Sequence, residues 1–408
     1  MTINDLIQSS LQSLARTKAR SVLTMLGIVI GVMSVILMLS VGEAAQRYIL
    51  AQISSFGSDT MFIANGPETD QGQPSLFVKE SLTMKDVKKL QSVAWISMIA
   101  AKLQQDDQVT AGGFTTNAQV VGTMPDEIRL NDIQPRLGVF FQSSAVDANA
   151  KEAVLGNDIA TTAFGAEDPI GKSIKISNTN FRVVGVMAKS GTKGFQNVDT
   201  QVYVPVTTAM EVYNKKYVSM ISLRPTVPLA DAKNRIQILL RERHGIDNPT
   251  GELAKDDFHL MTQEDLIRSA DTITNILQIL LVSIAAISLI VGGIGIMNIM
   301  YVSVTERTHE IGLRKAVGAQ SRDVLRQFLV EAVVQTMIGG VIGTALGVGF
   351  SWLGIQIISS FQSGWEFSMS WNGVLLGISV SALIGVTFGY FPARRAAFLH
   401  PIDALRFE

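Results

Sequence analysis

One stretch of the sequence carries the residue types of a phosphate-binding loop. Residues 163–178 read AFGAEDPIGKSIKISN, with Gly-Lys-Ser near the centre. A loop that cradles phosphate needs Gly, four residues, then Gly-Lys followed by Ser or Thr. That spacing lets consecutive backbone N–H groups curl around one phosphate ahead of a helix N-terminus. Here the first glycine would have to be residue 166, which is Ala166, and Gly165 falls one position early. Pro169 removes an N–H that the cradle would need. Ile174 and Ile176 alternate with Lys175 and Ser177, and FRVVGVM follows, which are two successive strand signals. The stretch is expected to be a hairpin with Lys172 in a turn, and not an ATP site.

No other constellation points to catalysis. His244, His259, His309 and His400 are scattered and form no H-x-x-x-H or H-E-x-x-H pair, and the chain has no cysteine, so thiol chemistry and the common zinc patterns are missing. Asp106 and Asp107 are adjacent carboxylates expected in a solvated turn. Glu331 lies about one turn into an apolar segment, where snorkelling or a helix-pair contact is expected. No apolar segment carries an ionisable residue at its centre, so there is no candidate proton or ion relay. No bound cofactor, metal or nucleic acid is expected of this chain.

The elements around these residues are dominated by lipid. The chain is 47% hydrophobic and only 17% charged, against roughly 25% charged in soluble domains. Residues 21–41, 272–305, 332–365 and 367–393 carry no Asp, Glu, Lys or Arg. A hydrocarbon core of about 30 Å needs roughly 20 apolar residues in a helix, so these are four membrane spans. Arg16, Lys18 and Arg20 flank the first. Arg307, Arg314, Lys315, Arg322 and Arg326 lie between the second and third, and Arg394, Arg395 and Arg406 follow the fourth. Basic residues stay on the cytoplasmic side, so both termini are expected inside and residues 43–271 outside. A cleaved leader is the competing reading of the first segment, since SVG precedes Glu43. The apolar run is longer than a leader's core, and removing it would put the other spans out of register with the basic loops.

The outer segment mixes strand and helix signals. DTMFIANG is a strand ending in a turn, and LTMKDVKKLQSV is a helix with Thr83 as N-cap. EAVLGNDIATTAF passes from strand to helix, Pro205 sits late in a strand, and Gly245 closes a helix carrying Ile236, Leu239 and Leu240. The expected fold class is an α-helical membrane protein with four transmembrane helices plus an inserted α+β extracytoplasmic domain. Its expected parts are a cytoplasmic segment 1–20, spans at 21–42, 272–304, 328–358 and 370–393, and the outer domain of two subdomains with stalk helices at 43–271. A cytoplasmic loop at 305–327, a short outer loop at 359–369 and a tail at 394–408 complete it.

Two features of the membrane part could carry function. Gly27 and Gly31, then Gly339, Gly343 and Gly347, then Gly373 with Gly377 and Gly385 with Gly389 recur every fourth residue. This spacing lets helix backbones approach closely in lipid, either within one subunit or at a dimer face. The second feature is the inner loop, VTERTHEIGLRKAVGAQSRDVLRQF. Ile311, Leu313 and Val317 suggest an apolar stripe among Glu306, Arg307, Glu310, Arg314 and Lys315. Gly318 is placed to end the short helix, and Ser321 with Asp323 to cap the next. A lipid-binding face would be mainly basic; mixed charge with an apolar ridge suits a protein partner.

ERTHEIGLRKAVGAQ, FPARRAAFLHPIDALRFE and LARTKARSVLTMLGIVIGV resemble the permease subunits of MacB-type ABC transporters, within the FtsX-like superfamily, and PIGKSIKI with FRVVGVM resembles the hairpin of their outer domain. The resemblance runs nearly end to end. It implies a four-span subunit, without a fused ATPase, that works as a dimer in the bacterial plasma membrane. Each subunit pairs with a cytoplasmic ATPase that holds ATP and Mg, and ATP-driven motion passes through the spans to the outer domain. An adaptor outside the membrane and surrounding lipid are the other partners implied. By the same resemblance Thr305, Glu306, Arg307, Glu310, Ile311, Gly312, Arg314, Lys315, Ala316 and Gly318 match the ATPase-docking loop. Pro392, Arg394, Arg395, Ala396, Pro401 and Leu405 match the C-terminal signature.

Some members of that family carry the ATPase ahead of the first span, whereas only 20 residues precede it here, which leads to the expectation of a separate ATPase. Efflux or export of antimicrobial compounds or peptides is the function the resemblance favours. A Lol-type permease that extracts lipoproteins, and an FtsX-like regulator of a cell-wall hydrolase, share the architecture.

Overall fold

The computed structural model describes residues 18–55, 57–67, 79–194, 196–361 and 364–405, with side chains from residue 25 onward. Arg16 and Arg406, counted above among the flanking basic residues, lie outside the described residues. The chain divides into two compact units. One holds residues up to Tyr48 and from Ile273 onward, and the other is Ile49–Thr272.

In chain order, helix α1 (Lys18–Ser54) is followed by β1 (Met61–Asn65), α2 (Met84–Gln91), β2 (Ile96–Ala111), β3 (Phe114–Thr123), α3 (Glu127–Leu130), β4 (Pro135–Gly138) and α4 (Ser143–Asp147). Then come β5 (Glu152–Leu155), α5 (Asn157–Phe164), β6 (Ser173–Ile176), β7 (Thr179–Met187), the short ribbon of β8 (Thr192–Lys193) and β9 (Gln196–Asn197), and β10 (Gln201–Pro205) with α6 (Val206–Val212). The unit ends with β11 (Met220–Pro225), α7 (Leu229–His244) and β12 (Phe258–Thr262).

The unit Ile49–Thr272 has two lobes built on one shared strand. In the first, β12, β1, β11 and β2 lie side by side and every neighbouring pair is antiparallel. With α2 following β1 and α7 following β11, this is the βαββαβ order of a ferredoxin-like lobe. The second lobe is inserted between β2 and β11. β2 serves both because it is 16 residues long: residues from Ile96 to Lys102 pair with β11, and those from Leu103 to Ala111 pair with β3. From β3 the pairing continues through β10, β5, β7 and β6, and returns to β2 where Val109 faces Ile176. Closing the circuit leaves few free strand edges.

The AFGAEDPIGKSIKISN stretch is part of this closure. β6 and β7 pair antiparallel from Ser173 opposite Arg182 to Ile176 opposite Thr179, and Ile174 and Ile176 are buried while Lys175 is exposed. Lys172 N–H donates to the Pro169 carbonyl at 3.1 Å, so Lys172 closes a turn at the foot of the hairpin, while the tip is at Ser177 and Asn178. Its ammonium pairs with Glu167 and lies 5.1 Å from the centre of the Phe164 ring. Asp106 and Asp107, expected in a loop, stand instead in the middle of β2 opposite Gln119 and Ala118. Asp107 accepts a hydrogen bond from the Tyr213 hydroxyl at 3.0 Å. The polar face of a long strand imitates a loop when its partner strand is unknown.

Ionic contacts fasten the helices of the first lobe. Thr83 donates to Asp86 from its backbone N–H at 2.8 Å, the carboxylate half of a capping box at the start of α2, and its hydroxyl adds a second bond to the same carboxylate at 2.6 Å. The other oxygen of Asp86 accepts from Arg243 at 2.5 Å, near the end of α7. His244 lies between two carboxylates, 2.7 Å from Asp257 and 3.5 Å from Asp86. Gly245, with φ at 66°, then ends α7 in the left-handed region. Burial alone would raise the Asp86 carboxyl, but hydrogen bonds from His244, Thr83 and Arg243 overcome it and hold it well below the usual range. Asp86 in turn is the main cause that raises His244 above the usual histidine value, against burial and with help from Asp257.

The membrane unit consists of α8 (Gln263–Glu306), α9 (Thr308–Ala316), α10 (Ser321–Phe361), α11 (Trp371–Ala397) and α12 (Pro401–Leu405), together with α1. Four of these helices, α1, α8, α10 and α11, are long and apolar enough to cross a membrane. α1 and α8 run beyond their charge-free windows at both ends, α10 only at its start and α11 only at its end. The 44 residues of α8 amount to about 66 Å at 1.5 Å per residue, twice a hydrocarbon core.

Every patterned glycine lies against another helix of the same chain. A Cβ on Gly27 would stand 2.8 Å from the Gly292 Cα, and one on Gly31 would stand 2.6 Å from the Leu289 side chain. Gly339, Gly343 and Gly347 of α10 face Ile28, Val29 and Ile36 of α1, while Gly385 and Gly389 of α11 face Thr336 and Ala332 of α10. Gly377 faces Val32 and Gly373 faces Leu39. The spacing therefore serves close packing inside one subunit. At one end of the unit Ser370 accepts from Gly373 N–H at 3.1 Å, capping α11, and donates to Glu43 at 2.7 Å.

His244 is raised, so its stabilising charge is complete below the ordinary histidine range and lost as pH rises through its own higher value. Hydrogen exchange of segments 84–91 and 229–244 should therefore speed up between pH 6 and pH 9, after correction for the intrinsic rate, and should do so less in His244→Gln; equal slopes would remove His244 as the cause. Asp86→Ala should weaken the same segments by about 2 kcal/mol. In the membrane unit, Gly27→Val forces α1 from α8 and should lower stability in detergent by about 1–3 kcal/mol. Gly295→Ala, where a Cβ meets nothing within 4 Å, should leave thermal unfolding unchanged.

Candidate partner-docking site

The inner loop folds into a short helix with two very different faces. α8 ends at Glu306, and α9 begins at Thr308 after a break at Arg307. Thr308 bridges the break by donating its hydroxyl to the Val304 carbonyl at 3.0 Å. At the other end Gly318 has φ at 108°. There, Ala319 N–H reaches the Arg314 carbonyl at 3.0 Å and Gly318 N–H reaches that of Lys315 at 3.1 Å. These two bonds make a Schellman ending, which needs a residue tolerant of positive φ. α10 starts at Ser321, one residue earlier than a Ser321 cap would allow. Gln320 holds the cap position, its carbonyl accepting from Asp323 N–H at 2.9 Å. Asp323 sits in the first turn, where a carboxylate favours the helix dipole.

The inward face fixes the helix in place. Ile311 is 3% exposed and joins Val304, Val324, Phe328 and Ala396 in the core of the membrane unit, and Gly312 is buried beside it. The Lys315 ammonium donates to the carbonyls of Ala397 at 2.8 Å and Leu399 at 2.7 Å. A cation on the last carbonyls of α11 satisfies groups left without helical partners and suits the negative end of the dipole. Arg307 reaches Glu331 of α10 at 3.3 Å, and Glu331 is 7% exposed. Glu331 is thus held in a helix-pair contact by the residue at the break.

The outward face is where apolar and charged groups mix. Leu313 is 53% exposed and Val317 is 83% exposed. Around them Thr305, Glu306, His309, Glu310, Arg314, Ala316 and Gly318 are also exposed. Arg314 binds Glu310 one turn back at 2.5 Å and Gln327 of α10 at 3.0 Å, so its guanidinium is held in place. The apolar stripe expected from the sequence is therefore divided. At 100° per residue, Leu313 and Val317 fall about 200–240° from Ile311, so Ile311 anchors while the other two stand out. Lys315 departs similarly from the expected exposed cations, since its charge is spent on α11.

The remaining residues of the C-terminal signature support this arrangement. Pro392, Ala396 and Ala397 are buried in α11, and α12, which begins at Pro401, packs beside α9. Arg395 lies 5.7 Å from the centre of the Tyr301 ring and Arg394 lies 6.0 Å from that of Phe398. The contacts of Lys315 and Glu331 were not visible in the sequence, because each partner lies on another helix. Among the described residues, no group of His, Asp and Glu is arranged to hold a metal ion.

Comparison with known proteins agrees with this architecture. Residues 21–239 match the MacB-like periplasmic core domain, and residues 282–401 match the FtsX-like permease C-terminal region. A macrolide export ATP-binding/permease protein MacB of Bdellovibrio bacteriovorus is 39% identical over 407 residues, covering 98% of this chain and 61% of that protein. The protein of the same description from Chlorobium phaeobacteroides is 38% identical over 402 residues, covering 97% of this chain and 60% of its own. The chain thus spans about three fifths of the length of these relatives. The periplasmic region of MacB from Actinobacillus actinomycetemcomitans, a crystal structure, aligns with 55% of this chain and 97% of its own at 20% identity and a TM-score of 0.46. With a MacB-like core inserted among four apolar helices and an FtsX-like C-terminal half, the chain belongs to the MacB-like ABC transporter permeases and is a multi-pass bacterial membrane protein.

Proposed function

We propose that this chain is the permease of an ABC-type export system and that it transmits motion from an ATPase to the unit Ile49–Thr272, which lies outside the membrane. The observation that carries the reading is the outward face of α9. Leu313 and Val317 are exposed apolar side chains ringed by Glu306, Glu310 and Arg314, while Ile311, Lys315 and Arg307 tie the same helix to the spans. A docking element that is apolar at its centre, charged at its rim and anchored behind suits a partner that pushes.

The partner is an ATPase that binds ATP and Mg, on the same or another polypeptide, in the cytoplasm where both termini of this chain lie. Motion passes along α1 and α8, each an unbroken helix of 37 and 44 residues. Two copies form the working permease in the plasma membrane. Exposed Ile276, Ile279, Ile287 and Val291 on α8 give apolar area for the second copy and for lipid. The outer unit hands antimicrobial compounds or peptides to an adaptor, in keeping with the macrolide export named in the relatives.

Charge placed at the centre of the docking face tests this directly. Leu313→Asp with Val317→Asp should weaken ATPase association roughly 30-fold, in the range of a lost hot spot of about 2 kcal/mol. ATP-dependent export and drug resistance should disappear with it, while membrane insertion is kept. Lys315→Met, by contrast, should destabilise the end of α11 before it affects docking. Unchanged co-purification with the ATPase and unchanged resistance in the double variant would overturn the reading. Lost lipoprotein extraction or lost wall hydrolysis, with resistance intact, would replace export by one of those functions.

A further inference from the structure

The unit Ile49–Thr272 contains a cleft of about 740 Å³ between its two lobes, within the range of sites that take a drug-sized ligand. α2 forms one wall with Met84 and Lys88, α3 and the turn before it form the other with Met124, Ile128 and Arg129, and Phe140 lies at the base. Phe140 and Met124 are each 7% exposed, and the Met124 sulfur accepts from Ala101 N–H at 3.4 Å, so Met124 is held in place. Met84 and Ile128 are half-buried at the mouth, where an unbranched thioether side chain can adapt to different apolar shapes.

The charged groups that line the cleft are differently engaged. Four charged groups line the cleft, Lys88 and Arg129 against Asp126 and Asp147. The Asp126 carboxylate already accepts from Ile99 N–H at 3.1 Å, and Asp147 is the last residue of α4, exposed to solvent. Lys88 and Arg129 are exposed and, among the described residues, no salt bridge occupies either. A surface cation is often solvated and unpaired. Two cations without a salt bridge, from separate lobes, at one cleft lined in part by apolar side chains make a more specific arrangement.

We infer that this cleft binds an amphiphilic organic acid, with its acid group between Lys88 and Arg129 and its hydrocarbon body against Met84, Met124, Ile128 and Phe140. A guanidinium can take a carboxylate through two parallel N–H bonds while an ammonium adds a point charge. The inference stands apart from the export reading: it concerns equilibrium binding and needs neither ATP nor the ATPase.

Photo-crosslinking of the full chain in lipid nanodiscs tests it, with a diazirine-bearing dodecanoate as the probe and mass spectrometry to locate the label. Labels are expected on segments 84–91, 124–129 and 140–147, competed by plain dodecanoate at least tenfold better than by dodecylamine. Lys88→Gln with Arg129→Gln should reduce this labelling about tenfold, in keeping with the loss of charge-assisted hydrogen bonds, with the label on the spans unchanged. Met84→Trp, which narrows the mouth without touching the base, should reduce it too. Labels confined to the spans, or cleft labels that ignore both variants and are competed equally by the amine, would overturn the inference. Hydrogen exchange of segment 84–91 in each variant separates loss of the site from loss of the fold.

Discussion

The membrane unit depends on one steric constraint, the near contact of two backbones at Gly27 and Gly292. Neither position has room for a side chain, since a Cβ on either would stand within 2.9 Å of the other helix's backbone. In lipid there is no hydrophobic drive to bring helices together, so close packing has to supply the attraction. The same solution recurs along α10 and α11, where glycines face Ile28, Val29, Ile36, Thr336 and Ala332. Because glycines carry the contacts between helices, the large apolar side chains such as Ile279, Ile287 and Leu383 are left on the outside, where lipid accommodates them at no cost.

That packing determines what the charged residues can do. No acid or base is needed to hold the spans together along their length, so ionic contacts gather where the helices end. Lys315 and the Arg307–Glu331 pair fix α9 to α11 and α10, and Glu43 with Ser370 ties α1 to the start of α11. The result is a helix whose back is rigidly tied and whose front is free. The water-exposed unit has the reverse economy: strand pairing closes a barrel, and Asp86, Arg243 and His244 lock two helices through partly buried charge. Such pairs are costly to desolvate and costlier to break, which suits a domain that must keep its shape.

Much of this was legible in the residues, because lipid imposes simple rules. The charge-free windows located all four spanning helices, Gly245 and Gly318 marked helix ends through their positive φ, and the failed spacing at Ala166 identified a hairpin. What escaped depends on neighbours distant in sequence. Asp106 and Asp107 read as loop because their partner strand was unknown. Leu313 and Val317 were grouped with Ile311 as nearby apolar residues, although the helical period places them about 200–240° away, on the opposite side. Lys315 passed for a surface cation, because its acceptors at Ala397 and Leu399 lie 82 and 84 residues away. The cleft between the lobes has no local signature either, since its cations come from α2 and α3, on opposite sides of the β2–β3 hairpin.

The division of α9 into two faces also explains how dense mixed charge and apolar residues coexist in so short a segment. A surface helix with one apolar stripe has a single partner and must choose between the core and a second protein. With Ile311 on one side and Leu313 and Val317 on the other, α9 meets the core and still presents an apolar face outward, and its charges follow suit. Lys315 and Arg307 are used inward, where carbonyls and a carboxylate receive them, while Glu310 and Arg314 neutralise one another on the outward side. A self-neutralised pair beside two exposed apolar side chains lowers the desolvation cost of covering them. The anchors behind it, Lys315 on α11 and Arg307 on α10, fix the short helix to the spans without using its outward face.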